Sequence, residues 1–254
     1  MSGHSKWATI KHRKAATDAK RGRLFSRLIK DITIAAKLGG GDSNANPRLR
    51  AAIAAARAEN MPLDNIERAI ARGTGQLAGM TIEQATFEGY GPGGVAVLVE
   101  VATDNRTRTV NEFRHLFSKW GGNLGESGCV AWMFHKKGYL SLPKEAVDEE
   151  TLMGLALDAG AEDLRDDGSS WEIIAAPEKL EEVKEALRSR QLTPTVAEVS
   201  MLPQTTVHLE GGNAHQMVRL LEALEEHEDV QHVYANFDIA EKEIEEAMAA
   251  SGSE

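Results

Sequence analysis

The chain of 254 residues carries a single cysteine, Cys129, and no run approaching about 18 consecutive apolar residues. A lone thiol excludes an internal disulfide, which fits a reducing compartment. The missing apolar run excludes a membrane-spanning helix. No basic-then-apolar leader ending in small residues opens the sequence, and the start Met-Ser-Gly lacks the Met-Gly signal for myristoylation. A cytoplasmic protein without membrane contact is the expectation.

Catalytic punctuation is equally scarce. The sequence has no GxxxxGK[ST] loop, no HExxH, no CxxC and no Gly-x-Ser-x-Gly elbow. Its eight histidines are scattered without ligand spacing. The expected catalytic residues, metal ligands and cofactors are therefore none. Cys129 sits in an apolar stretch and reads as a structural thiol, not a nucleophile.

What the sequence does contain is a division of charge. Residues 1–75 carry 15 Lys/Arg against six Asp/Glu, a net of +9, whereas residues 76–254 carry 14 against 33, a net of −19. The whole-chain charge of −10 hides this asymmetry. A basic module that meets polyanions and an acidic body that does not is the physical reading. Within "GHSKWATIKHRKAATDAKRGRLFSRLIK" there are nine Lys/Arg and one acid, Asp18. Lys6, Lys11, Arg13 and Lys14 surround Trp7 and His12, which interleaves phosphate-pairing charge with rings that stack on bases. The other reading of Trp7, a hydrophobic anchor for the leader, is compatible with this one.

Helical periodicity follows over 17–38. Leu24, Phe25, Leu28, Ile29, Ile32, Ala35 and Ala36 form one stripe, and Lys20, Arg23, Arg27 and Lys30, with Arg21 beside them, form a basic ridge on nearly the opposite face. Gly39–Gly41 end this helix, Asn46-Pro47 caps and opens a second, and Pro62 opens a third that stops at Gly73. A basic three-helix domain over residues 1–75 results.

Beyond it, "VAVLVEV" (95–101), a helix bearing Val110, Phe113, Phe117 and Trp120, and "CVAWMF" (129–134) read as one βαβ unit. "TTVHL" (205–209), a helix with Met217, Leu220, Leu221 and Leu224, and "VQHVYANF" (230–237) read as another. Between them the order is again βαββαβ, with strands at 139–142, 162–165, 171–175 and 195–201 and helices at 149–159 and 178–189. The expected fold class is α+β: the helical domain followed by two ferredoxin-like α/β domains, one inserted in the other. The expected boundaries are 76–137 plus 203–240 for the middle domain, 138–202 for the insert, and 241–254 for an acidic helix and tail.

Three further segments bear on binding. "EGYGPGGVAV" (88–97) reads as a tight turn ahead of a phosphate loop, because it lacks the lysine and the following helix. "GGNLGESG" (121–128) has more glycines than a simple turn needs, which leaves close approach to another molecule open. In "TDNRTRTV" (103–110), Thr103, Asp104 or Asn105 can cap a helix whose first turn carries Arg106 and Arg108. Cations oppose the dipole there, so an anion contact and pairing to local acids are both open, with Arg114 a third member of the patch.

The segments "SGHSKWATIKHRKAATDAKRGRLFSRLIKDI" and "EGYGPGGVAVLVEVATDNRTRTVNEFRHLFSKWGGNLGESGCVAWMF" resemble the YebC family over nearly the whole chain. The resemblance implies a three-domain α+β protein without known catalysis, described as a DNA-binding transcriptional regulator. It also implies a link to the ribosome, where relatives help synthesis through proline-rich stretches. Mitochondrial relatives activate translation of cytochrome oxidase subunits; with nothing before Met1 resembling a presequence, a bacterial cytosolic member is expected. Cys129 stands where Ser is common in the family pattern, which weakens any catalytic role for the thiol. The expected partners are the ribosome, through rRNA or tRNA, or duplex DNA, and the expected state is a monomer. The ridge repeats Lys/Arg without the Asn, Gln and Arg variety of a base-reading helix, which leans toward phosphate tracking on RNA.

Overall fold

A computed structural model describes residues 18–79 and 81–251. Three helices come first: α1 (Asp18–Gly39), α2 (Pro47–Ala58) and α3 (Leu63–Gly73). Their shared core is Leu28, Ile32, Leu49, Ala56, Met61 and Ile66. Asn46 fixes the α1–α2 corner. Its carbonyl oxygen accepts from Leu49 N–H at 3.1 Å, while its amide nitrogen donates to the Ala35 and Gly40 carbonyls at 2.8 and 2.9 Å. One buried side chain thus caps the second helix and satisfies the end of the first.

Next comes a hairpin of β1 (Glu83–Tyr90) and β2 (Ala96–Thr103), then α4 (Arg106–Lys119) and the short β3 (Asn123–Leu124). After an excursion of the chain, β8 (Val207–His208), α7 (Gly211–Glu226), β9 (Val230–Ala235), β10 (Phe237–Asp238) and α8 (Glu241–Ser251) return to the same body. The sheet order is β3-β1-β2-β9, antiparallel throughout. Its inner face packs Val97, Val99 and Val101 against Phe113, Phe117, Met217, Leu221 and Leu224. Phe87 meets Phe113 edge-on at 5.3 Å. Helix α8 closes this core with Ile244, Ala247 and Met248.

The excursion builds a second sheet from β4 (Phe134–Pro143), α5 (Glu149–Asp158), β5 (Ala161–Asp166), β6 (Ser170–Ala175), α6 (Leu180–Ser189) and β7 (Val196–Pro203). The order β5-β6-β4-β7 is that of a ferredoxin-like βαββαβ unit, with Leu140, Leu142, Leu152, Ile173, Val183 and Leu187 inside. The α+β class and the nesting of one sheet within the other agree with the sequence reading.

The first sheet differs from that reading in three ways. Strand β1 was not expected, because EQATFEGY mixes polar and apolar residues without a clean run. The stretch 205–209 contributes only a two-residue strand, paired parallel to β10. "CVAWMF" is not a strand: residues 131–133 form a 3-10 turn, and Phe134 already belongs to β4. Buried Glu88 is the physical reason. Its carboxylate accepts the N–H groups of Gly128, Val130 and Ala131 at 2.6, 2.8 and 2.7 Å, taking donors a strand ladder would need. The apolar character of 129–134 comes from covering a sheet, since Val130 and Phe134 pack with Leu98 and Tyr234.

Candidate nucleic-acid interface

The expected leader contacts Lys6, Trp7, Lys11, His12, Arg13 and Lys14 lie outside the described residues. Lys20 and Arg21 fall on the first turn of α1. The remaining ridge is not free, which corrects the expectation of an open basic face. Arg27 donates through Nε to the Val230 carbonyl at 2.9 Å and through Nη2 to the Glu225 carbonyl at 3.0 Å. Lys30 Nζ donates to the Glu228 carbonyl at 2.9 Å and to Asp229 at 2.7 Å. Arg23 pairs with Glu226 at 3.3 Å, half-exposed. These cations are spent on the acidic end of α7 and the loop after it, where free carbonyls and the helix dipole attract them.

Asp229 is the node of this joint. Its carboxylate is fully buried and accepts from Lys30, from Arg108 Nη2 at 2.9 Å and from Thr109 Oγ at 2.8 Å. Burial alone would raise its pKa, but the three charge-assisted and hydroxyl bonds outweigh it and hold the group at about 2. Arg108 also meets Asp104 at 3.1 Å and Glu228 at 3.4 Å. Its hydrogen bond to Asp229, against a smaller effect of burial, raises its pKa. Of the two readings of Arg108, pairing to local acids is the one observed; it is an internal clamp. Asn105 is the cap, accepting from Arg108 N–H at 3.1 Å. Arg106 is exposed, with its guanidinium 5.9 Å from the Phe87 ring centroid. Arg114 is exposed and has no ion pair among the described residues.

The glycine-rich loops are explained by each other. A Cβ on Gly122 would stand 2.4 Å from the Tyr90 carbonyl oxygen, and one on Gly89 would stand 2.7 Å from that of Asn123. Segments 88–94 and 121–128 are pressed together, backbone on backbone, so close approach is satisfied within the chain. Cys129, half-buried beside Glu88, has its thiol pKa pushed up by burial first and by that carboxylate second, the opposite of an activated nucleophile.

A metal has no good seat among the described residues. Glu112, His227 and Asp229 gather their ligand atoms, but Asp229 already faces Lys30 and Arg108. Both ring nitrogens of His227 are engaged: Nδ1 accepts from Asp229 N–H at 3.1 Å, and Nε2 lies 2.7 Å from Glu112.

The cations that sequence reasoning passed over are on α2 and α3. Arg48, Arg50, Arg57 and Arg72 are exposed and form no ion pair among the described residues. They lacked the tight clustering of the leader, so only the regional charge sum pointed to them.

Two family models match the chain, "TACO1/YebC protein N-terminal domain" over residues 5–76 and "TACO1/YebC second and third domain" over residues 82–237. A "Probable transcriptional regulatory protein" of Koribacter versatilis is 61% identical over 97% of this chain and 99% of its own length. Proteins of the same name from Acidobacterium capsulatum and Desulforapulum autotrophicum are 60% and 56% identical, covering 96% and 98% of this chain and 98% and 100% of their own. The crystal structure of a conserved hypothetical protein from Aquifex aeolicus superposes with a TM-score of 0.79 at 49% identity, covering 92% of this chain and 97% of that one. No described helix is long and apolar enough to cross a membrane. The chain belongs to the TACO1/YebC family.

Proposed function

We propose that the protein is a non-enzymatic, RNA-binding translation factor that acts on the ribosome and relieves stalls, including those at proline-rich stretches. The observation that carries this reading is the charge division, +9 over residues 1–75 against −19 over the rest. Where the joint consumes Arg23, Arg27 and Lys30, the arginines of α2 and α3 stay exposed, and these with the leader supply the polyanion surface. The same joint argues against α1 as a groove-reading helix, because its ridge already faces protein. A transcriptional regulator on duplex DNA is the second reading, favoured by the names of the relatives.

Ribosome co-sedimentation and RNA binding across a salt series test the proposal. Changing Lys11, Arg13 and Lys14 together to Gln is expected to release the protein from ribosomes and to flatten the log–log salt slope by about 2 to 3. An unchanged ribosome-bound fraction overturns it. So does a sequence-selective DNA site that survives physiological salt and accounts for the phenotype without ribosomes.

A further inference from the structure

The outer face of the first sheet is half covered. Its upper part lies beneath Val130 and Phe134. Its lower part is the floor of an open polar cleft of about 580 Å³. The strand register sets three side chains in a row across that floor, since Thr86 pairs with Glu100 and Glu100 pairs with His232. The helical domain supplies one wall through Asp31 and Arg48, and Lys136 at the start of β4 supplies the other. All three parts of the molecule therefore meet around one space.

A register irregularity between Glu100 and Val101 leaves Gln231 as the extra residue on β9, and such bulges re-aim side chains. Gln231 turns to the α1 wall, where the end of its amide lies 3.0 and 3.2 Å from the two Asp31 oxygens; the orientation that satisfies both groups puts the amide nitrogen there as donor. The exposed His232 ring stacks on Tyr234, centroids 6.0 Å apart and 13° from parallel, so it is backed by a second ring. Arg48 and Lys136 are exposed at the rim and have no ion pair among the described residues.

The chemistry is that of a mixed ligand: flat, with hydrogen-bond donors at one edge and an anion at the other. We propose that the cleft holds one unstacked nucleotide of single-stranded RNA whose base carries an exocyclic amine. The base stacks on His232, its amine donates to Glu100, and its phosphate pairs with Arg48 and Lys136. Uracil has no such amine and is disfavoured. This assignment rests on the RNA reading above and adds a base preference to it.

Two measurements on the full chain test the assignment. Titration with labelled oligo(C), oligo(A) and oligo(U) at fixed salt is expected to show about fivefold weaker binding of oligo(U). The preference should vanish in Glu100→Gln, and His232→Ala should weaken all three about tenfold. Separately, millimolar CMP should move the imidazole resonance that is absent from the His232→Ala spectrum, and UMP should move it much less. Both substituted side chains line an open cleft, and retention of the wild-type melting curve verifies folding. Equal affinity for the three oligomers and an unmoved resonance, with leader-dependent RNA binding intact, overturn the cleft assignment alone. No RNA binding by the folded wild type overturns the RNA reading as well. Tighter binding of oligo(dC) than oligo(C) overturns RNA as the occupant.

Discussion

The two sheets of this protein have four strands each, yet they are held in different ways. The inserted sheet is built from one continuous segment, residues 134–203, and its helix α6 displays exposed pairs such as Lys184–Glu181 and Arg188–Glu185 three residues apart. The first sheet is assembled from segments more than a hundred residues apart, and buried carboxylates tie it together. Glu88 gathers a loop, and Asp229 gathers a helix of another domain. The same residue type is nearly neutral in one setting and a structural requirement in the other, because burial removes the solvent that would stand in for a lost partner.

The largest effect should come from Asp229→Ala. It leaves Lys30 and Arg108 facing a buried gap, and the expected loss is about 3–5 kcal/mol in chemical denaturation. A loss under about 1 kcal/mol would show that the joint between the helical domain and the first sheet is not energetically coupled to folding. Glu88→Ala comes next at about 3 kcal/mol, since three amides lose a charged acceptor together. Hydrogen exchange should speed selectively at Gly128, Val130 and Ala131, and unchanged protection there would contradict the anchor.

Acid sharpens the comparison without a mutation. Asp229 has an ordinary value of 3.8 and is held at about 2, so its contribution is present above about pH 4 and is lost as pH falls toward 2. The difference amounts to about 2 kcal/mol. An acid titration of wild type against Asp229→Asn should show that decrement only in the wild type. The smallest effect belongs to the inserted sheet. Arg188→Ala removes an exposed pair and should shift stability by no more than about 0.5 kcal/mol, and a larger drop in melting temperature would show that α6 depends on it.

These differences also explain what could be read in the sequence. The strands and helices of the insert fall close to where alternation and apolar spacing put them, because each is stabilised by neighbours in the chain. The Asn46 cap was legible for the same reason, and Asn105 was among the three candidates, with Thr103 and Asp104, ahead of α4. The 129–134 stretch was misread because its fate depends on Glu88, some 40 residues earlier. The basic ridge of α1 was legible as charge but not as contact. The acceptors of Arg27 are backbone carbonyls at Glu225 and Val230, which carry no signature in sequence. The cleft was invisible altogether, since Thr86, Glu100 and His232 become neighbours only through strand register.

The pairing of β4 with β7 runs to the very junction with the first sheet: Phe134 lies opposite Pro203 and His135 opposite Leu202. The insert is thus carried on a two-stranded ribbon, not on two independent tethers. A hydrogen-bonded ribbon resists stretching and sliding, because either would break its ladder. The attachment is therefore a continuous piece of sheet. Lys136 sits at its base and lines the cleft, so the ribbon that holds the insert also fixes where this cation stands beside the first sheet.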